Sequence, residues 1–248
     1  MNDTLAQNKA SWDAMADSWF GTTALPVYGC YIPREDELNL FPDLTGKAVL
    51  DVGCGSGHSL LWCAKKGASE LWGVDLSSRQ IENAERFLTE SGYAPHLFAA
   101  PMESDCGLPT EHFDVVYSIY ALGWTTDLPG TLRRIASYLK PGGVLIFSWD
   151  NPILRHMSVE NGQLVLSDSY TKDEVFSYIQ REQPVTLQNY RCSTYINELA
   201  AAGFAIERFV EETDPSVLSQ TPEFSEKYYS PWKATKIPLS LIFKARKL

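Results

Sequence analysis

The 248-residue sequence predicts an α/β fold: a doubly wound, mostly parallel sheet of seven strands with helices on both faces. Three observations lead there. Between residues 47 and 149, short β-branched or aromatic runs alternate with amphipathic stretches, the rhythm of βαβ units. The first of these runs ends in the glycine turn Gly53-Cys54-Gly55-Ser56-Gly57, which opens a helical pattern. Two more alternating strands, after a second helical stretch, close the chain.

The elements follow in order. Residues 5–20 carry Leu5, Trp12, Met15, Ala16 and Trp19 at near-helical spacing and read as a short amphipathic helix. Residues 21–46 hold Gly21, Pro26, Gly29, Pro33 and Pro42 and read as irregular, with a short helix around 35–40. Residues 47–51 are the first strand. Leu60, Leu61, Cys63 and Ala64 give the helix 58–66, closed by Gly67. Residues 70–75 are the second strand, and Ser77 caps a helix over 78–89 that Gly92 closes. Residues 96–100 and 113–120 are the third and fourth strands. Leu132, Ile135, Ala136 and Leu139 share one face of a helix over 128–139. Lys140-Pro141-Gly142-Gly143 predicts a turn, since proline presets φ and glycine accepts positive φ. Residues 144–149 are the fifth strand, 191–202 a helix ending at Gly203, and 204–211 and 237–247 the last two strands.

Residues 150–190 are polar, bear tyrosines and show no clear period, so they are expected to form a cap rather than an independent domain. The whole chain then reads as one domain: an arm (1–46), a core (47–149), the cap (150–190) and a C-terminal helix with a strand pair (191–248).

Composition narrows the function. The net charge is −10 with no Lys/Arg cluster, which argues against a nucleic-acid partner, because neutralising phosphates dominates that affinity. No apolar run approaches the roughly 20 residues that span a bilayer, so no membrane partner is expected. The start lacks a basic segment followed by an apolar one, and a cytoplasmic location is expected. The cysteines (Cys30, Cys54, Cys63, Cys106, Cys192) are odd in number, with no C-x-x-C pair, so neither a disulfide framework nor a structural metal is expected.

The sharpest signal is the strand Val49-Leu50-Asp51-Val52 running into its glycine turn. Glycines let the backbone approach a ligand closely, and a helix N-terminus favours negative charge. The dinucleotide fingerprint needs a third glycine at position 58, which is His58, and there is no G-K-[ST] of a P-loop. Asp75 ends the next strand about 20 residues on, where a carboxylate can accept two hydrogen bonds from a ribose diol. The expected ligand is a nucleoside bearing something other than a pyrophosphate, which disfavours a nicotinamide-dependent oxidoreductase.

VLDVGCGSG, the acid in GVDLS, the strand FDVVYS and the turn LKPGG together resemble class I S-adenosylmethionine-dependent methyltransferases, over residues 45–150. The terminal LIFKARK after a helix ending AGF is also similar, and the likeness extends to bacterial small-molecule enzymes of the ubiquinone/menaquinone-biosynthesis type. The resemblance implies a Rossmann-like sheet of order 3-2-1-4-5-7-6 with the last strand antiparallel. It implies S-adenosylmethionine as cofactor, S-adenosylhomocysteine as product and a small-molecule methyl acceptor. By position it assigns Gly53, Cys54, Gly55 and Gly57 to the methionine part and Asp51 to its ammonium. Asp75 goes to the ribose hydroxyls, Leu76 to the adenine flank, and Met102 and Glu103 to the adenine edge. Ser118, Ile119 and Tyr120 go to the methionine side, and Trp12, Trp19 and Tyr28 to a lid. Two positions depart from the family pattern: Pro101 stands where an acid often reads the adenine amino group, and Gly123 replaces a frequent histidine.

The methyl donor carries its own electrophile, so no particular catalytic residue type is demanded. An acceptor pocket is expected at the C-terminal ends of the strands, with Tyr28, Trp124, Asp150, His156, Tyr190 and Arg191 as candidates. His156 is the candidate base, because imidazole titrates near neutrality. The Asn/Asp-Pro-Pro-Tyr/Phe motif for base or glutamine nitrogens is absent: the position reads Ser118-Ile119-Tyr120-Ala121. The alternatives are methylation of a protein partner, with the aromatic 213–236 loop as its surface, or cofactor binding without catalysis. A monomer or a homodimer fits equally.

Overall fold

A computed structural model describes residues 3–248. In chain order the elements are α1 (Asp3–Met15), extended by a 3₁₀ turn through Trp19, α2 (Glu35–Leu38), β1 (Ala48–Val52), α3 (His58–Lys65), β2 (Glu70–Asp75) and α4 (Ser78–Glu90). Next come β3 (His96–Ala99), β4 (Phe113–Ile119), α5 (Leu128–Tyr138), β5 (Leu139–Asp150), β6 (Met157–Glu160), β7 (Gln163–Leu166), β8 (Glu174–Gln180) and β9 (Gln183–Asn189). The chain closes with α6 (Cys192–Ala201), β10 (Phe204–Val210), α7 (Pro215–Leu218), α8 (Pro231–Ala234) and β11 (Ser240–Lys247).

The main sheet has seven strands in the order β3-β2-β1-β4-β5-β11-β10. The first five run parallel, while β11 is antiparallel to both β5 and β10. This is the strand order, with its one antiparallel strand, that the family resemblance implied. The central strand β1 is buried along its whole length because helices cover both faces of the sheet. Along β1, Leu50 and Val52 face a core shared with Leu132 and Ile135 of α5 and Leu199 of α6. Val49 faces the opposite core, shared with Leu60 and Cys63 of α3 and Leu88 of α4. The Ser77 cap forms as expected, its hydroxyl accepting from Gln80 N. Among the described residues, no helix is long and apolar enough to cross a membrane.

Two expectations need correction. Lys140-Pro141-Gly142-Gly143 lies inside β5, not between a helix and a strand. Phe113 pairs with Leu139 and Val115 with Val144, so the four residues bulge out of a ladder that holds on either side. The 150–190 segment, without period in the sequence, is built from two antiparallel hairpins, β6–β7 and β8–β9. In β8 the outward positions are Val175, Ser177 and Ile179 and the inward ones Phe176 and Tyr178. Apolar residues on both faces erase the alternation that would announce a strand. The β8–β9 turn, Arg181-Glu182, takes positive φ at both residues without glycine or asparagine. By contrast, Asn161-Gly162 between β6 and β7 is a strong two-residue hairpin signal, legible without the fold.

The cap is fastened to the arm. Asn8 Nδ2 donates to Thr186 O at 2.7 Å, Thr186 N donates to Asn8 Oδ1 at 2.9 Å, and Ser11 Oγ donates to Pro184 O at 2.6 Å. These buried polar residues on α1 satisfy the free edge of β9, which would otherwise expose unpaired backbone groups.

Candidate functional site

The C-terminal ends of β1, β2, β4 and β5 open into a cleft of about 330 Å³. Its floor is the glycine turn. Gly53 N and Cys54 N both donate to Val74 O, at 2.7 and 3.1 Å, which stitches the turn to β2. Gly53 has φ +81° and packs so tightly that a Cβ would lie 2.2 Å from Ala121 Cβ. Gly55, also at positive φ, has nothing within 4 Å of a Cβ position and borders the open cleft. Gly57 caps α3 and packs on Leu88 and Ala84 of α4, outside the cleft.

Asp75 ends β2 at the cleft floor. Its Oδ2 accepts from Gly55 N and its Oδ1 from Ser77 N, both at 2.9 Å. Two backbone donors therefore fix the carboxylate, while its remaining lone pairs stay available to a ligand. Withdrawal from water pushes this carboxyl up to about 6, against the pull of the two backbone N–H groups. Asp51, on β1, is 2% exposed, and its Oδ1 has no hydrogen-bond partner. Burial first, and the neighbouring Asp75 second, hold the Asp51 carboxyl well above the usual range. An unpartnered carboxylate oxygen at a cleft wall suits a cationic group of a ligand.

Other residues singled out from the sequence also border this cleft: Cys54, Leu76, Met102, Glu103, Ile119 and Tyr120, with Pro101 beside them. Glu103 is held in place, its Oε1 accepting from Thr126 Oγ1 at 2.6 Å and Thr126 N at 3.1 Å. Trp12 and Trp19 form part of the roof, and Trp12 meets Trp124 edge-on at 5.1 Å between ring centroids.

Besides Gly57, five candidates lie elsewhere. Ser118 is fully buried and donates to Val52 O at 2.7 Å, tying β4 to β1. Tyr28 is also fully buried, its hydroxyl donated to Glu35 Oε2 at 2.7 Å. Glu35 accepts Leu40 N and Phe41 N as well, so this knot organises the 21–46 segment rather than a lid. Tyr190 packs into the core against Tyr195. Arg191 pairs with Asp173 and donates to Thr171 O, bracing α6 against the cap. His156 is 1% exposed, walled by Tyr170 and Phe176 away from the cleft, and cannot reach an acceptor there.

The fold also brings a nitrogen of His156 and carboxylate oxygens of Asp168 and Glu174 within 4.8 Å of one another. The amide nitrogen of Asn189 faces both Pro152 O and His156 Nε2.

At the other end of the cleft, Asp150 is 1% exposed. Its Oδ1 accepts from the hydroxyls of Tyr120 and Tyr229, at 2.8 and 2.7 Å. Its Oδ2 accepts from Tyr228 at 3.3 Å and from Arg155 Nη2 at 3.4 Å. Burial raises its carboxyl, with Arg155 opposing. Trp124 and Trp149 stand beside this network. Sequence reading found Trp124 and Asp150 but missed Arg155, Trp149, Tyr178 and Tyr229. These come from β5, the cap and the 213–236 segment, and no motif marks them. Tyr228 and Tyr229 both turn inward to donate to Asp150, and Tyr229 lines the cleft.

Gly123 has a packing reason. A Cβ there would fall 1.9 Å from Trp149 Cε2. Gly123→Ala is expected to displace Trp149 and lower Tm by several degrees, as overpacked cores lose about 1–3 kcal/mol. Thermal unfolding followed by circular dichroism checks this, and an unchanged Tm counts against the tight fit.

A methyltransferase domain family model matches residues 31–207. An uncharacterized protein of Haemophilus influenzae is 30% identical over 229 residues, covering 88% of this chain and 87% of that one. A ubiquinone biosynthesis O-methyltransferase of Nitrosospira multiformis is 36% identical over 108 residues, less than half of either chain at 44% and 45%. An S-adenosylmethionine dependent methyltransferase of Mesorhizobium loti superposes with a TM-score of 0.68 at 26% identity, covering 85% of this chain and 95% of that one.

Proposed function

The chain belongs to the class I S-adenosylmethionine-dependent methyltransferases, and from that premise we propose that it methylates a small molecule held in the cleft beneath the cap. The observation that carries this reading is a cleft of about 330 Å³ lined by aromatic residues. Trp12 and Trp19 from the arm, Tyr178 from β8, and Tyr229 roof the cleft. A second cavity of about 400 Å³ shares Arg155, Tyr178, Gln180 and Tyr229 with it. Cavities of this size suit small ligands.

The residues present fit the cofactor. Asp75 would accept from the ribose hydroxyls, and the orphan Oδ1 of Asp51 would accept from the ammonium. Gly55 leaves room for the methionine part, and Leu76 and Met102 would flank the adenine. When bound, S-adenosylmethionine supplies a methyl group activated by a positively charged sulfur. The protein then has to align the acceptor and exclude water, and alignment can supply about 7–11 kcal/mol. Trp12, Trp19 and Tyr178 exclude water, and the Asp150 network holds the acceptor end in one shape. On this reading the chain works as one unit, with residues 1–46 as arm and 150–190 as cap. Its free cysteines suit a reducing cytoplasm.

The test has two parts. S-adenosylhomocysteine is expected to raise Tm while NADH leaves it unchanged, since a ligand bound only by the native state stabilises it. With methyl-labelled S-adenosylmethionine and a cell extract, label is expected in the low-mass filtrate. Label confined to the protein fraction would refute the small-molecule reading.

A further inference from the structure

The acceptor end of the cleft has a charge and shape of its own. Toward the glycine turn the lining carboxylates are Asp51, Asp75 and Glu103. Among the described residues, Arg155 is the one Lys or Arg that lines the cleft, and it also lines the second cavity. Its side chain is 11% exposed and lies between aromatic rings, 5.0 Å from the centroid of Tyr178 and 5.4 Å from that of Tyr228.

The guanidinium is poorly used. Both protein bonds it makes leave from Nη2, to Asp150 Oδ2 and to Tyr178 OH, each at 3.4 Å, the long limit for such a bond. Nε is sealed from solvent without a partner, whereas Nη1 makes no bond and is not sealed, so the free edge that faces a ligand is the Nη1–Nη2 end. Asp150 draws most of its hydrogen bonding from three tyrosine hydroxyls and makes one long contact with Arg155. A buried arginine with an idle donor on an aromatic wall is a planar fork awaiting a planar anion.

Resting on the methyltransferase reading above, we propose that the acceptor is a planar aromatic or conjugated molecule carrying a carboxylate, with the carboxylate on the free edge of Arg155 and the ring against Tyr178 and Trp124. Arg155 is then a specificity determinant rather than a catalytic residue. The Asp150–tyrosine network holds its neighbours in place, and the low-dielectric surroundings strengthen the ion pair. Neutral aromatics of the same shape leave the idle donor unsatisfied and bind more weakly.

Matched acid and amide pairs test this: benzoate with benzamide, 1-naphthoate with 1-naphthamide, and indole-3-carboxylate with its amide. Binding is titrated by tryptophan fluorescence on the full chain saturated with S-adenosylhomocysteine. At least one acid is expected to bind about tenfold or more tightly than its amide. Arg155→Met is expected to cut that preference below about threefold, while affinity for S-adenosylhomocysteine stays within about twofold. Arg155→Lys, which keeps the charge and loses the fork, is expected to keep part of it. If no acid outbinds its amide, or the preference survives in a folded Arg155→Met, the proposal is overturned. The wild-type pairs decide alone should the methionine variant fail to fold. Failure of S-adenosylhomocysteine to bind is a separate outcome and would overturn the methyltransferase reading instead.

Discussion

Asp75→Asn is expected to weaken binding of S-adenosylhomocysteine by roughly 30- to 100-fold, the loss of about 2–3 kcal/mol of charge-assisted hydrogen bonding. The cause is local. The carboxylate accepts from Gly55 N and Ser77 N, and on the proposed reading its remaining lone pairs would accept from the ribose. An asparagine turns one acceptor into a donor, which then faces a backbone N–H. The same residue sets a pH dependence. Its carboxyl is pushed up to about 6, chiefly by withdrawal from water. Below that pH the free protein carries the proton, and ligand binding must release it. Affinity should therefore rise as pH increases from 5 to 7 and level off above, and this rise should shrink in Asp75→Asn. For the free chain the shift acts in the opposite sense. The folded state holds the proton more tightly than the unfolded one, so the Asp75 contribution to stability declines as pH rises from the ordinary 3.8 toward 6. Calorimetric titrations at pH 5, 6, 7 and 8, in two buffers of different ionisation enthalpy, measure affinity and proton release together. Equal affinity across that range, or a variant that binds within threefold of wild type, would refute the role assigned to Asp75.

Gly53→Ala is expected to have the largest effect on the protein itself. Its Cβ would stand 2.2 Å from Ala121 Cβ at φ +81°, so both contact and backbone are unfavourable. Strain and overpacking of about 1–3 kcal/mol each predict a Tm lower by about 5–15 °C, together with loss of cofactor binding. Gly55→Ala separates the two effects. Its Cβ meets nothing within 4 Å, so the fold should survive with a smaller loss while the methyl group intrudes on the cofactor. Differential scanning calorimetry and ligand titration of the two variants provide the comparison. A Gly53→Ala protein melting within 2 °C of wild type would show that the turn has slack the structure does not suggest.

The end of the cleft proposed for the cofactor was largely legible in advance, because the residues that line it lie close together in sequence. A ligand gripped through backbone needs glycines at fixed offsets within one turn, and the strand-ending acid follows at a spacing set by one βαβ unit. Gly53, Gly55, Asp51 and Asp75 are neighbours in space because each sits at, or just beyond, the end of one of two adjacent parallel strands. Gly57 and Ser118 belong to the same motifs but serve packing and strand tying, a distinction of a few ångströms that spacing does not carry.

The far end of the cleft was legible only at Trp124 and Asp150. His156 was a sensible base by residue type, yet the hairpins bury it against Tyr170 and Phe176. Arg155, one residue before it, faces the cleft. Along a single 3₁₀ turn, Pro152–His156, nothing in the sequence tells which of two adjacent side chains points toward the cleft. β8 hid its strand character by carrying Val175 and Ile179 outward, and Tyr228 and Tyr229 reach Asp150 from 78 and 79 residues away.

By itself, then, the sequence determined the alternation of strands and helices and the glycine turn proposed for the cofactor, since hydrophobic period and glycine placement act within a few residues of the chain, while the order of the strands came from the family resemblance. Tertiary structure alone decided which aromatics, which arginine and which acid meet at the far end of the cleft. Those contacts join the arm, the cap and the last loop, and they exist only once the core beneath them has packed.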